Sequence, residues 1–343
     1  MFESVNNIEG YDIDFFNKKN VYELQEFINE SWREGHILSR NIDLLDWQYF
    51  DKRENRYNFV YARSQNTNLI DGIFGFIPTY HFDPNLNENR ELWGAIWQIE
   101  KKRVNVKGLG SVLYKYVFDT IHPKTFANLG ISQIAQDIYK RWGFAVSIFS
   151  QYYIPNYKTR EFKIANFNTI NAVNVVNNNV TIEEIYSLDS VNINLRNTYP
   201  VKSYEYFNNR YKNHPFYKYH FFMLINQGIQ QYVLVTRVNK ANDAKAMRIV
   251  DIIGEFNGLN IIQPIQKILD SYDCEYIDCL NFGISKTIFV SAGFAERNEN
   301  DLNIVPHYFE PFIRQNIDIG AAVLAPAEYL AFKGDSDQDR PNM

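Results

Sequence analysis

Apolar residues recur at helical spacing near the start of the chain, as at Val21, Leu24, Phe27 and Ile28, which predicts helical structure through residues 21–51. The period then shortens. Two runs rich in β-branched and aromatic residues, YNFVYAR from Tyr57 and LIDGIFGFIPTYHF from Leu69, flank the polar turn SQNTN and read as a hairpin. A third strand is expected over LWGAIWQIE, Leu92 to Glu100. The loop KKRVNVKGLG follows, then an amphipathic helix from Ser111 to Asp119 and a short strand around FANLGI. The helix QIAQDIYKRW and a closing strand, VSIFSQYYI, complete this half.

Residues 156–180, with the Asn-rich run NAVNVVNNNV, lose the periodicity and read as a connector, with room for one strand. Beyond them the order repeats. A helix-like stretch, VKSYEYFNNRY, precedes strands YHFFMLIN, QQYVLVTRV and MRIVDIIG, the helix LNIIQPIQKILDSY, the strand EYIDCLNF and the helix ISKTIFVSAGF. The wording repeats too. NLGIS at Asn128–Ser132 returns as NFGIS at Asn281–Ser285, and each leads through helix-like sequence to a Gly-Phe pair, Gly143-Phe144 and Gly293-Phe294. The expectation is two tandem copies of one α+β unit, each a mixed, mostly antiparallel sheet flanked by helices. The boundaries expected are 1–155, a connector at 156–180, and 181–343 with a polar acidic tail. All five tryptophans fall in the first copy, so the copies differ in what they line.

Composition agrees with this division. A chain of 343 residues exceeds a usual single core, and 45% hydrophobic residues are enough to fill two. The net charge is −5 and the longest basic run is Lys101–Arg103, which disfavours nucleic acid as a partner. The opening MFESVNNIEGYDIDFF lacks the features of a secretory signal, and no window is apolar enough for a membrane span. With two thiols, Cys274 and Cys279, read as buried on opposite faces of one strand, a cytoplasmic protein is expected.

Candidate chemistry starts at Asn105-Val106-Lys107-Gly108-Leu109-Gly110, between a strand and a helix. Glycines there let backbone N–H groups approach an anion, the helix N-terminus adds a favourable dipole, and Ser111 adds a hydroxyl. The plain alternative is a tight turn. Downstream, Ala135, Tyr139, Gly143 and Phe144 stand in register in SQIAQDIYKRWGF. On these residues the chain resembles the GNAT superfamily of CoA-dependent N-acyltransferases. That family has a [Q/R]xxGx[G/A] loop after its fourth strand and a segment close to NxxAxxxYxxxGF beyond it. The resemblance spans roughly residues 20–155 and its topology recurs in the second half. Asn105 replaces the family's Gln or Arg, and Ser132 replaces its Asn.

The resemblance implies acetyl-CoA or another acyl-CoA as cosubstrate, held by Asn105, Lys107, Gly108, Leu109, Gly110, Ser111 and Ser132. It implies that Tyr139 protonates the departing CoA thiolate; packing on the helix face is the alternative. The second copy has Phe289 at the matching place and lacks the GxG pair, so chemistry is expected in the first copy only. Glu100, at the end of its strand, is the candidate general base, with His81 and Asp83 as rivals. His36, Trp47 and His81 are candidates for the acceptor side, against core or loop roles.

The ending YLAFKGDSDQDRPNM is expected to be a solvated tail. Its DxDxD spacing lacks the glutamate of a calcium loop, so no metal is expected. The ending is similar to those of GNAT-type bacterial surface-polysaccharide proteins. The reading is an acyl-CoA-dependent N-acyltransferase whose acceptor is a small-molecule amine, preferably an amino sugar, nucleotide-linked or free, for surface glycans. The alternatives are an aminoacyl-tRNA-dependent transferase of peptidoglycan type and a catalytically inactive binding module.

Overall fold

The helical spacing of the first segment becomes three short helices because turn chemistry interrupts it. In this computed structural model, which describes residues 8–104, 106–168, 179–298 and 302–341, α1 (Val21–Phe27) widens into a π-type turn over Ile28–Trp32. Then α2 (Ile37–Arg40) is capped by the His36 ring and α3 (Ile42–Tyr49) by the Asn41 side chain. The chain forms two compact units: Met1–Ser147 with Gly320–Pro326 and Arg340–Met343, and Ile148–Ile319 with Ala327–Asp339.

In unit 1, β1 (Tyr11–Phe15) and a small hairpin, β2 (Phe50–Asp51) with β3 (Arg56–Tyr57), precede an antiparallel meander. Its strands are β4 (Phe59–Ser64), β5 (Ile70–Pro78) and β6 (Glu91–Ile99). Every residue of β5 is buried, as its unbroken apolar run requires of a strand covered on both faces. Then α4 (Leu109–Ile121) crosses to β7 (Thr125–Ile131), parallel to β6, and α5 (Gln133–Arg141) leads to β8 (Ala145–Ile148). A strand from far along the chain, β18 (Gly320–Leu324), completes the order β1-β4-β5-β6-β7-β18-β8.

Unit 2 repeats the plan. Its first strands are β9 (Ser150–Pro155) and β10 (Val180–Ile185), and α6 (Tyr204–Phe207) again widens into a π-type turn, Asn208–Lys212. The meander is β11 (Tyr219–Asn226), β12 (Ile229–Ala241) and β13 (Ala244–Ile253). Next come α7 (Ile262–Tyr272), β14 (Tyr276–Phe282) parallel to β13, α8 (Lys286–Ala292) and β15 (Ala295–Glu296). A hairpin of β16 (Tyr308–Phe309) and β17 (Phe312–Ile313) precedes β19 (Ala331–Phe332), which pairs β14. The main sheet runs β10-β11-β12-β13-β14-β9-β15.

The repeated words of the sequence have repeated geometry. Gly130 and Gly283 take positive φ (72° and 104°), Ser132 and Ser285 sit at helix N-caps, and Gly143 and Gly293 again take positive φ (85° and 99°). Phe144 then donates its N–H to Tyr139 O and Phe294 to Phe289 O, both at 3.0 Å. Tyr139 and Phe289 are therefore equivalent positions.

Several expectations need correction. The run VSIFSQYYI is not one closing strand: β8 stays in the first sheet, while β9 pairs β14 in the second over Tyr276 to Asn281. The cuts expected at 155 and 180 thus give way to exchanged segments, β9 going forward and β18 coming back. Part of the connector, 156–168, is tied down, since the Glu275 carboxylate accepts N–H bonds from Lys163, Ile164 and Ala165; residues 169–178 lie outside the described residues. Nor is the tail solvated. Asp335, Asp337 and Asp339 are buried. Lys202 bridges Asp335 (2.6 Å) and Asp251 (2.7 Å), and Arg237 grips Asp339 at 2.6 and 3.1 Å. Arg210 donates to the carbonyls of Gly334 and Ser336. Buried carboxylates survive only with such partners. Cys274 precedes β14 rather than sharing it with Cys279; both are free and buried. No helix among the described residues is long and apolar enough to cross a membrane.

Candidate active site

The site in unit 1 begins where two parallel strands part. β6 and β7 pair from Glu91/Thr125 to Gly94/Asn128 and no further. At that point β6 carries a bulge, with Ala95 and Ile96 opposite the single residue Gly75 of β5, and a bulge turns a strand away from its neighbour. The far edge of β7 is taken by β18 along Phe126–Ile131. On the near edge, no strand among the described residues pairs with Leu129–Ile131. A wedge is left open, with backbone groups along its sides.

Unit 2 has the same wedge and fills it. β13 and β14 pair from Met247/Ile277 to Ile249/Cys279, and β13 then bulges at Val250. Because β9 occupies the other edge of β14, β19 must take the edge that β13 leaves, and it pairs there with Asn281 and Phe282. Two further bonds tie the insert to both walls: Lys333 N–H to Leu280 O (3.2 Å) and Gly334 N–H to Val250 O (2.8 Å).

The loop expected to hold phosphate opens α4 beside the wedge of unit 1. Gly108, at the N-cap, takes φ 90°, where an L side chain is strained. Lys107 and Gly108 are exposed, Gly110 and Ser111 partly so, and the buried Leu109 side chain anchors the turn. The first-turn N–H groups of a 13-residue helix thus face out as an anion-binding end. Asn105 lies outside the described residues. Trp97 of β6 packs on this turn so closely that a Cβ on Gly110 would lie 2.9 Å from its Nε1. That Nε1 is buried and has no partner among the described residues. Ser132 accepts from Ala135 N–H at 3.3 Å, capping α5.

Tyr139 is buried on α5, and its hydroxyl donates to Asn128 Oδ1 at 2.9 Å, at the last paired rung. Its ring lies among Trp97, Tyr114, Trp142 and Phe144, with centroids 5.2–5.8 Å away. Burial pushes the phenol well above its ordinary pKa of 10.0, so it keeps its proton at neutral pH. Phe289 instead stacks flat on Tyr152 at 4.1 Å.

Glu100 lies just past β6. Its Oε1 accepts Lys102 N–H (2.9 Å) and its Oε2 accepts the Ser31 hydroxyl (2.8 Å). These bonds hold its carboxyl below the usual range, which makes it a weak base. His36 is buried against Trp32 (4.6 Å), and its Nδ1 accepts Leu38 N–H. Burial, with Arg340, Arg33 and Arg40 nearby, lowers its pKa to about 3, so the ring is neutral and Nε2 carries the hydrogen. Trp47 and His81 come together: His81 Nε2 lies 2.7 Å from Trp47 O, and both rings contact Phe82. Asp83 caps the turn Pro84–Asn89 through Asn85 N–H.

Sequence reading missed Gly94, Asn128 and Trp97. Asn128 is the first residue of NLGIS, and its partner Tyr139 lies 11 residues on across a strand–helix turn.

No protein-family model matches the sequence, and no curated protein does. Solved structures do resemble it. A GCN5-related N-acetyltransferase from Anabaena variabilis superposes with a TM-score of 0.51 at 8% identity, over 91% of this chain and 72% of that one. A protein of unknown function from Enterococcus faecalis, described as a probable N-acyltransferase, gives 0.50 at 9% identity, over 84% and 70%. At such identities the likeness is one of shape, and with the duplicated wedge and helix turn it shows that this chain has the fold of the GCN5-related N-acetyltransferases, laid down twice.

Proposed function

We propose that unit 1 transfers an acyl group from acyl-CoA to an amine, preferably that of an amino sugar. The open wedge between β6 and β7 carries this reading, because unit 2 supplies its internal template. There an extended segment, Ala331–Gly334, lies between the parted strands and bonds to the bulge residue Val250. An extended pantetheine arm of acyl-CoA would lie likewise in unit 1, against the bulge Ala95–Ile96. Its pyrophosphate would meet the N–H groups from Lys107 to Ser111, and beside them Trp97 Nε1–H has no partner among the described residues.

The amine attacks the thioester carbonyl; a C–N bond forms, the C–S bond breaks, and the sulfur leaves as a thiolate. Tyr139 supplies the proton. A phenol raised by burial is a poor acid towards a thiolate in water. In a dry site the thiolate is destabilised as well, and the two come back into balance. Glu100 takes the amine proton through water. Its low basicity means the amine must arrive largely neutral, so turnover rises with pH as the acceptor deprotonates. Trp47 and His81, joined through Phe82, are assigned to the acceptor side together with His36.

The experiment is thermal unfolding of the full chain with acetyl-CoA, alongside thiol release with glucosamine and simple amines. Ligand at 100 times its Kd stabilises the native state by ~2.7 kcal/mol. Absence of both acetyl-CoA stabilisation and thiol release with every amine would overturn the proposal; release with alkylamines only would overturn the amino-sugar preference.

A further inference from the structure

Unit 2 has a large cleft of its own. A cleft of about 970 Å³ opens between the extended chain at 192–198, the start of β12, the loop after β13 and the chain entering α8. Six side-chain amides line it: Asn192, Asn194, Asn197, Gln230, Gln231 and Asn257. Its charged groups are one guanidinium, Arg196, and two carboxylates, Glu255 and Glu328. Arg196 donates through Nε to Gly254 O at 2.6 Å, while its Nη2 is buried with no partner among the described residues. Arg196 also borders a recess of about 30 Å³ that shares Leu195, Thr198 and Leu330 with the cleft.

This cleft does not suit a CoA-like ligand. The wedge of unit 2 is filled by the chain itself, and α7 starts without a side-chain cap. Two carboxylates against one guanidinium repel a polyanion. Gln230, Gln231 and Asn257 are braced by bonds to the backbone and to each other, and they present their remaining lone pairs and hydrogens beside the exposed amides of Asn192, Asn194 and Asn197. Amides are both donor and acceptor and match groups that are themselves both, namely hydroxyls. The volume lies near the top of the ~300–1,000 Å³ range of small-molecule sites, enough for several linked rings. A buried, unpaired N–H is costly and is satisfied by a ligand oxygen.

We propose that this cleft binds a neutral, hydroxyl-rich ligand of oligosaccharide size, with the amide side chains reading its hydroxyls and Arg196 Nη2 donating to one of its oxygens. The site stands whether or not unit 1 transfers an acyl group.

The test uses the full chain and calorimetric titration with fully N-acetylated, uncharged chitotetraose, with UDP-N-acetylglucosamine and an uncharged decapeptide as comparators. The double variant Asn194→Ala/Asn197→Ala changes two exposed side chains and leaves the fold intact. We expect chitotetraose to bind best and the variant to bind it at least tenfold more weakly, with acetyl-CoA stabilisation unchanged in both proteins. The proposal is overturned by absence of chitotetraose binding, by equal affinity in the variant, or by tighter binding of either comparator. Failure of acetyl-CoA binding alone would count against the acyl-transfer reading and not against this site.

Discussion

Gly94 and Asn128 face each other across the last paired rung of β6 and β7, and a Cβ on Gly94 would come within 2.0 Å of Asn128 Oδ1. The absence of a side chain at one residue thus holds the other in place, and Asn128 in turn accepts the Tyr139 hydroxyl. Gly94→Ala should push Asn128 aside and release that bond. Overpacking of this kind costs ~1–3 kcal/mol. Thiol release should drop while acyl-CoA affinity stays near wild type, since the α4 turn is untouched. Full turnover in this variant would remove Asn128 from the mechanism.

Tyr139→Phe tests the proton donor itself. The unit 2 counterpart is already Phe289, so the helix should tolerate the ring. Asn128 loses its donor, at a cost of ~1–3 kcal/mol in stability. General-acid assistance is typically worth ~10²–10⁴-fold, and kcat should fall by that much with little change in acyl-CoA Kd. Unaltered kcat would make Tyr139 a packing residue.

The phosphate turn separates charge from bulk. At Gly108 a Cβ meets nothing within 4 Å but the backbone is at φ 90°, whereas at Gly110 it meets Trp97. Gly108→Asp should abolish acetyl-CoA stabilisation by placing a carboxylate at the anion end of α4. Gly110→Ala should weaken it by displacing Trp97, visible as a change in tryptophan fluorescence. Undiminished affinity in both variants would clear this loop of any role.

Lys333 gives a pH test of the buried tail. Burial, reinforced by Arg248, lowers its pKa from 10.5 to about 7. The unfolded chain therefore holds this proton up to about pH 10.5, while the folded protein releases it near 7. Between those values the unfolded state binds more protons, so stability rises with pH across the window. Lys333→Met should flatten that part of the profile and raise Tm most at its lower end. A Tm profile with the same slope in wild type and variant would show that Lys333 titrates normally.

The duplication was legible because it is written in local geometry. Positive-φ glycines, a serine at the helix N-cap position and a Gly-Phe stop all lie within about fifteen residues and recur in the same places, although only Ser132 caps through its hydroxyl. The sheet that β9 joins is a different matter. VSIFSQYYI alternates acceptably for either sheet, and its partner Tyr276–Asn281 lies more than a hundred residues away. The tail misled for a related reason. Asp335 and Asp339 read as solvent-facing until Lys202 and Arg237, distant in sequence, are found beside them. Glu100 follows the end of β6 directly, but its Ser31 partner, which weakens it as a base, comes from a π-type turn 69 residues earlier.

The exchange of β9 and β18 also sets a timetable for synthesis. When residue 148 leaves the ribosome, β7 and β8 of the first sheet still lack the strand that belongs between them. That strand, Gly320–Leu324, emerges only after the rest of the second sheet's meander has been made, about 9–35 s later at ~5–20 residues per second. Neither sheet can close early, and no single cut of the gene yields two complete halves. The two copies of one fold are therefore a single obligate translation product.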